Sequence, residues 1–79
     1  MLSPQELEVE EQRLYNKICE ILSKNDKDIP TGFSATIKVG FMLADIQKKC
    51  THSNGYEVFI DLENVTHTMC VDCIQEKTP

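Results

Sequence analysis

Cysteine and histidine are crowded into one part of this chain, and that placement limits the folds open to it. Cys50-Thr51-His52 and Cys70-Val71-Asp72-Cys73 put three of the four cysteines within residues 50–73, and with His67 between them both histidines fall there too. A chain of 79 residues is expected to form one domain over residues 1–79, with little apolar surface to bury per residue. A core of that size supplies only about 3–5 kcal/mol, so small folds of this kind draw on a metal, disulfides or a partner subunit. Four soft donor side chains in two close pairs supply the means for the first two.

Composition decides what surrounds them. Apolar residues at 41% and charged residues at 27% belong to a folded chain rather than a disordered one. The net charge of −5 is uneven: residues 1–28 hold seven acids and four bases, residues 29–52 one acid and three bases, residues 53–79 five acids and one base. A nucleic-acid binder takes most of its affinity from Lys and Arg neutralising phosphates, and an acidic chain with one arginine is ill equipped for that. The opening "MLSPQELEVEEQ" carries neither a basic leader nor an apolar run, and the stretch around "VGFMLADI" is too short to span a bilayer. We therefore expect an intracellular, cytoplasmic protein whose partner is another protein.

Residues 1–32 read as an acidic amphipathic helix and a turn. "SPQE" sets Ser3 at the N-cap, Pro4 in the first helical position and Glu6 three residues after the cap, which is a capping box. Leu7, Leu14, Tyr15, Ile18, Ile21 and Leu22 fall on one face of a helix over residues 4–24. Cys19 sits at the edge of that face as a small apolar residue. Glu6, Glu8 and Glu10 lie on the polar side, either as a solvated face or as an acidic docking surface. "NDKDIPTG" is a turn by composition.

Residues 33–49 admit two readings. Phe33, Ala35, Ile37, Val39 and Phe41 alternate as a strand would, yet Ser34, Lys38, Asp45 and Lys49 gather into a single polar stripe on a helical wheel. The helical pattern extends to Lys49 and the strand pattern stops at Phe41, so an apolar helix is the expectation. Such a helix needs cover on most sides. Thr36, Gly40 and Ala44 form a small-residue groove on it, to be filled either by the first helix or by a second copy of the chain in a homodimer, with Phe41 as a partner-binding residue.

"SNG" at residues 53–55 opens a turn, and Tyr56, Val58, Ile60 and Leu62 alternate with Glu57 and Asp61 as a strand. Val65, His67 and Met69 continue after Glu63 and Asn64, the natural two-residue turn of a β-hairpin. A hairpin brings Cys50 and His52, just before the first strand, beside Cys70 and Cys73, just after the second. Zinc takes tetrahedral Cys and His donors, and a CxxC turn lets two thiolates share one ion. We expect one zinc per chain on Cys50, His52, Cys70 and Cys73, with His67 as the other candidate for the histidine. Reduced unligated thiols, and a disulfide or redox pair, are the competing readings of the same cysteines.

Paired ligands flanking a hairpin make residues 50–74 similar to zinc-ribbon and treble-clef sites. This chain departs from that group in having C-x-H as its first pair and no glycine after either pair. The expected architecture is α+β, two N-terminal helices packed on a C-terminal zinc-stapled hairpin, with residues 75–79 as a tail. Nothing in it reads as an enzyme: four closed-site donors leave no coordination position for water, and phosphate loops, nucleophile elbows and HExxH are absent from the sequence. In size and charge the chain resembles small regulatory or inhibitory factors of phages and bacteria, which implies a zinc-binding protein-interaction module. The alternatives are a nucleic-acid-binding zinc module using Lys38, Lys48 and Lys49, and a CxxC redox or metal-handling protein.

Overall fold

The computed structural model describes residues 1–77 and is α+β: helix α1 (Pro4–Lys24), helix α2 (Ala35–Lys49), and an antiparallel hairpin of β1 (Tyr56–Ile60) and β2 (Thr66–Cys70). The capping box at the head of α1 is formed in both directions. Ser3 Oγ accepts from the Glu6 amide at 3.3 Å, and Glu6 Oε1 accepts from the Ser3 amide at 3.2 Å. At the other end, the Asp26 amide donates to the Ser23 carbonyl at 3.2 Å and the Lys27 amide to the Leu22 carbonyl at 2.9 Å. With Asp26 left-handed at φ 56°, this is a Schellman stop. Leu7, Ile21 and Leu22 are buried, whereas Tyr15 is 56% exposed at the margin of the apolar face.

Helix α2 begins at Ala35, two residues beyond the expected start, and Phe33 stands in the preceding turn. The helix has two apolar faces, and the protein buries one. Leu43 and Ile46 join Ile21, Leu22, Cys70 and Cys73 in the core, with Val39 and Met42 packed at its edge. On the opposite side, Phe33 (112%), Ile37 (64%) and Phe41 (75%) are exposed. Helix α1 does not fill the Thr36–Gly40–Ala44 groove: Thr36 and Ala44 are exposed, and a Cβ built on Gly40 would meet nothing within 4 Å among the described residues.

The hairpin pairs Tyr56 with Cys70 and Ile60 with Thr66, so its turn is longer than the expected two residues. Leu62, Glu63 and Asn64 form a three-residue loop closed by Asp61, whose amide donates to Val65 and whose carbonyl accepts from Asn64, both at 3.0 Å. Asn64 is left-handed at φ 62°, the position where such loops otherwise place glycine. The Asp61 carboxylate accepts from the Glu63 and Val65 amides at 2.8 and 3.0 Å, holding the loop from inside. Asn64 also accepts from the Leu2 amide at 3.0 Å, which ties the start of the chain to the hairpin.

Which face of the hairpin turns inward is the main departure from the alternation pattern. Phe59 is buried at 2% exposure, while Tyr56 and Val58 on the other face are 43% and 48% exposed. The cause is Arg13 on α1. Its guanidinium lies 4.2 Å above the Phe59 ring, its Nη1 donates to Glu57 at 3.0 Å, and its Nη2 donates to Glu10 at 2.9 Å and to the Val58 carbonyl. A cation over an aromatic face, held by two carboxylates, couples α1 to the Glu57–Phe59 side of the sheet. The chain after the hairpin returns along β2: Glu76 bridges Met69, and the Lys77 amide donates to the Thr68 carbonyl at 2.8 Å. The expected tail at 75–79 is thus a short pairing segment as far as Lys77, and residues 78 and 79 lie outside the described residues. Among the described residues no helix is long and apolar enough to cross a membrane.

The inward face gives a direct test. Phe59→Ala should destabilise the protein by about 3–5 kcal/mol, and Val58→Ala by less than about 1 kcal/mol. Comparable losses for both in denaturant titration would contradict the sheet orientation.

Candidate metal centre

The two ligand pairs are set on different kinds of backbone. Cys50 caps the C-terminus of α2 in an extended conformation, φ −80° and ψ 137°, which turns the chain away from the helix axis toward the hairpin. His52 then takes a left-handed conformation, φ 55°, and its amide donates to Cys50 Sγ at 3.4 Å. On the far side Cys70 ends β2, and the chain folds tightly so that the Ile74 amide donates to the Cys70 carbonyl at 2.8 Å. The Cys70 amide in turn donates to the Gln75 carbonyl at 2.9 Å, and Val71 to the Gly55 carbonyl at 3.2 Å. Ile74 is left-handed at φ 52°. A β-branched residue there is strained, at a cost of about 1–3 kcal/mol, and its contact with the core cluster offsets part of that.

These turns bring four donor atoms together. The sulfurs of Cys50, Cys70 and Cys73 and a ring nitrogen of His52 all lie within 4.8 Å of one another. Cys50 Sγ is 3.7 Å from Cys70 Sγ, and Cys73 Sγ is 3.4 Å from His52 Nδ1. A disulfide needs about 2.05 Å between sulfurs, and all four cysteines are free thiols. Cys70 and Cys73 are fully buried, and Cys50 and His52 half-buried. Around the cluster Gln47 on α2 donates to the Cys73 carbonyl at 3.1 Å, and Asn54 donates to the Asp72 carboxylate at 2.7 Å, which fixes both turns to their neighbours.

Electrostatics divides the thiols. Burial pushes the Cys70 thiol up, but hydrogen bonding with His52, with the Asp72 amide and with Cys73 outweighs it and brings the thiol down to about 7. The Cys73 thiol is pushed up to about 12 by burial, against a lowering by the Gln75 backbone, with the neighbouring Cys70 and Cys50 sulfurs adding to the rise. A second thiolate beside the first therefore lacks a compensating charge. A cation among the four donors is what would supply it, and the residues present fit that role.

Other residues marked in the sequence lie elsewhere. His67 is not in the cluster: its Nε2 is 2.7 Å from Asp61 Oδ2 and its Nδ1 is bonded to Glu76. Cys19 is half-buried on α1, lining a groove against α2. Of the acidic residues on α1, Glu6 is engaged in the capping box and Glu10 in the Arg13 network, and Glu8 is exposed. Lys38 and Lys48 are exposed, and Lys49 is 3.6 Å from Asp45. No residue pattern marks Ile74 as the left-handed residue, because its type argues against that conformation. Comparison with protein-family models, with curated proteins and with solved structures gives no match to this chain.

The His67 contacts carry a pH dependence. Hydrogen bonding to Asp61, then to Glu76, raises the His67 pKa above the ordinary 6.5. Stability from a raised histidine is fully present below the unfolded value and is lost as pH rises through the folded one. His67→Gln should therefore lower the melting temperature more at pH 6 than at pH 9, with metal content unchanged. An equal effect at both values in thermal melts would show that the imidazolium contributes nothing.

Proposed function

We propose that Cys50, His52, Cys70 and Cys73 hold one zinc ion in a closed structural site, and that the chain works as a protein-interaction module. The observation that carries the zinc reading is the convergence of three sulfurs and one imidazole nitrogen within 4.8 Å. Zinc binds sulfur at about 2.3 Å and nitrogen at about 2.0–2.1 Å, so a tetrahedron has edges of about 3.8 Å between sulfurs and about 3.5 Å between sulfur and nitrogen. The 3.7 Å and 3.4 Å separations match both. Three thiolates and an imidazole fill the tetrahedron and leave no position for water or substrate, which favours a structural over a catalytic role.

Two exposed apolar faces support the interaction reading: Phe33, Ile37 and Phe41 beside α2, and Tyr56, Val58 and Leu62 on the outer side of the hairpin. In a chain this small they are candidate contact surfaces. A regulator or inhibitor that covers a surface of a larger protein is the simplest role for a rigid acidic module of this size.

Protein purified under reducing conditions should contain about one zinc per chain. Cys70→Ser or Cys73→Ser should release it and unfold the hairpin, because zinc binding of about 10 kcal/mol or more is then coupled to folding. His52→Ala should lower zinc content, and His67→Ala should not. A folded, reduced protein without zinc by elemental analysis would falsify the assignment.

A further inference from the structure

We infer that the exposed face of α2 is the contact between two copies of this chain, paired antiparallel about a two-fold axis. The inference rests on the reading of the chain as an interaction module and names the occupant of one of its two apolar faces. The face is built of two adjacent rows. Ile37 and Phe41, exposed at 64% and 75%, form a ridge on the helix, and Phe33, exposed at 112%, stands in the turn just before it. Thr36, Gly40 and Ala44 form the groove beside it, also exposed. Ridges at four-residue spacing pack into grooves at the same spacing on another helix.

The two rows match each other in reverse order. When two copies of α2 cross antiparallel between Ile37 and Gly40, Phe33 of one copy meets Ala44 of the second copy, Ile37 meets Gly40, and Phe41 meets Thr36. The two-fold repeats the same three contacts, so the pair has six places at which a large residue faces a small one. Gly40 is then placed where the helices come closest. Inside one copy nothing calls for a glycine there: its Cβ position is open, and glycine weakens a helix interior.

Charge and area point to the same occupant. The six residues of the two rows are uncharged, and only Thr36 carries a polar side chain. Such a face has little with which to select a foreign protein by electrostatics, but it complements its own shape. An aromatic side chain buries about 150–250 Å²; with Ile37 and the small row, each copy covers about 500–600 Å², and the pair passes the roughly 1,000 Å² expected of a specific interface. Beside Thr36 the face continues into a groove between α1 and α2 of about 450 Å³, lined by Tyr15, Cys19, Ile29 and Val39 among others.

Sedimentation equilibrium of the full, zinc-loaded chain tests this. A species of twice the 9.0 kDa chain mass is expected at tens to hundreds of micromolar. Phe41→Glu should weaken it by on the order of 100-fold or more, as loss of a central aromatic anchor does, with the metal retained. Gly40→Leu is the sharper variant, because a Cβ there has open space in one copy and would have a helix in its way in the pair. It should give a monomer that melts no lower than the wild-type monomer. A 9.0 kDa species persisting to about 500 µM overturns the inference, as does a dimer that survives both substitutions. Metal content measured on the same samples keeps the two readings apart: a zinc-bearing monomer removes the pairing and leaves the metal site, and a zinc-free dimer does the reverse.

Discussion

The buried thiols of Cys70 and Cys73 are members of the hydrophobic core, and the rest of the molecule is arranged around that fact. Ile21 and Leu22 from α1 and Leu43 and Ile46 from α2 form one core cluster with them. Sulfur so placed is a small apolar residue while protonated and a costly buried charge once ionised. Hydrogen bonding already draws the Cys70 thiol down to about 7, and Cys73 resists following. A cation shared by Cys50, His52, Cys70 and Cys73 would resolve that conflict and would join the end of α2 to both ends of the hairpin. On the zinc reading, the metal completes a core that the remaining apolar residues only begin.

Helix α1 is attached to the hairpin by different means. Arg13 stacks on Phe59 and is held by Glu10 and Glu57, so part of the acidic surface of α1 is turned toward the sheet rather than toward solvent. Exposed ion pairs alone contribute little, but here they steer a cation onto a buried ring. The sheet is thereby oriented with Phe59 inward, and Tyr56 and Val58 are left outside as surface. Its last strand is flanked by the returning segment at Glu76, which His67 secures.

Much of this could be read from the residues themselves. Ser3, Pro4 and Glu6 mark the head of α1, and the helical stripe through Lys49 separates α2 from a strand. The hairpin between two Cys-containing pairs implies that those pairs meet. Legibility fails where two patterns compete. The β1 strand carries apolar residues on both faces, so alternation alone cannot choose Phe59 over Val58; a long-range contact with Arg13 decides. The loop at Leu62–Asn64 needs a left-handed residue, and asparagine is a weaker signal for it than glycine. Ile74 adopts a conformation its side chain disfavours, because the turn around Cys70 and Cys73 imposes it. The α2 groove looked fillable by α1, but α1 is drawn away to the core and the hairpin.

X-ray absorption at the zinc edge tests the metal assignment most directly, because it reads donor type and distance without requiring a crystal. The account predicts a four-coordinate first shell of about three sulfurs at about 2.3 Å and one nitrogen at about 2.0–2.1 Å. A first shell of nitrogen and oxygen alone, or a fitted sulfur count of one or fewer, would contradict it.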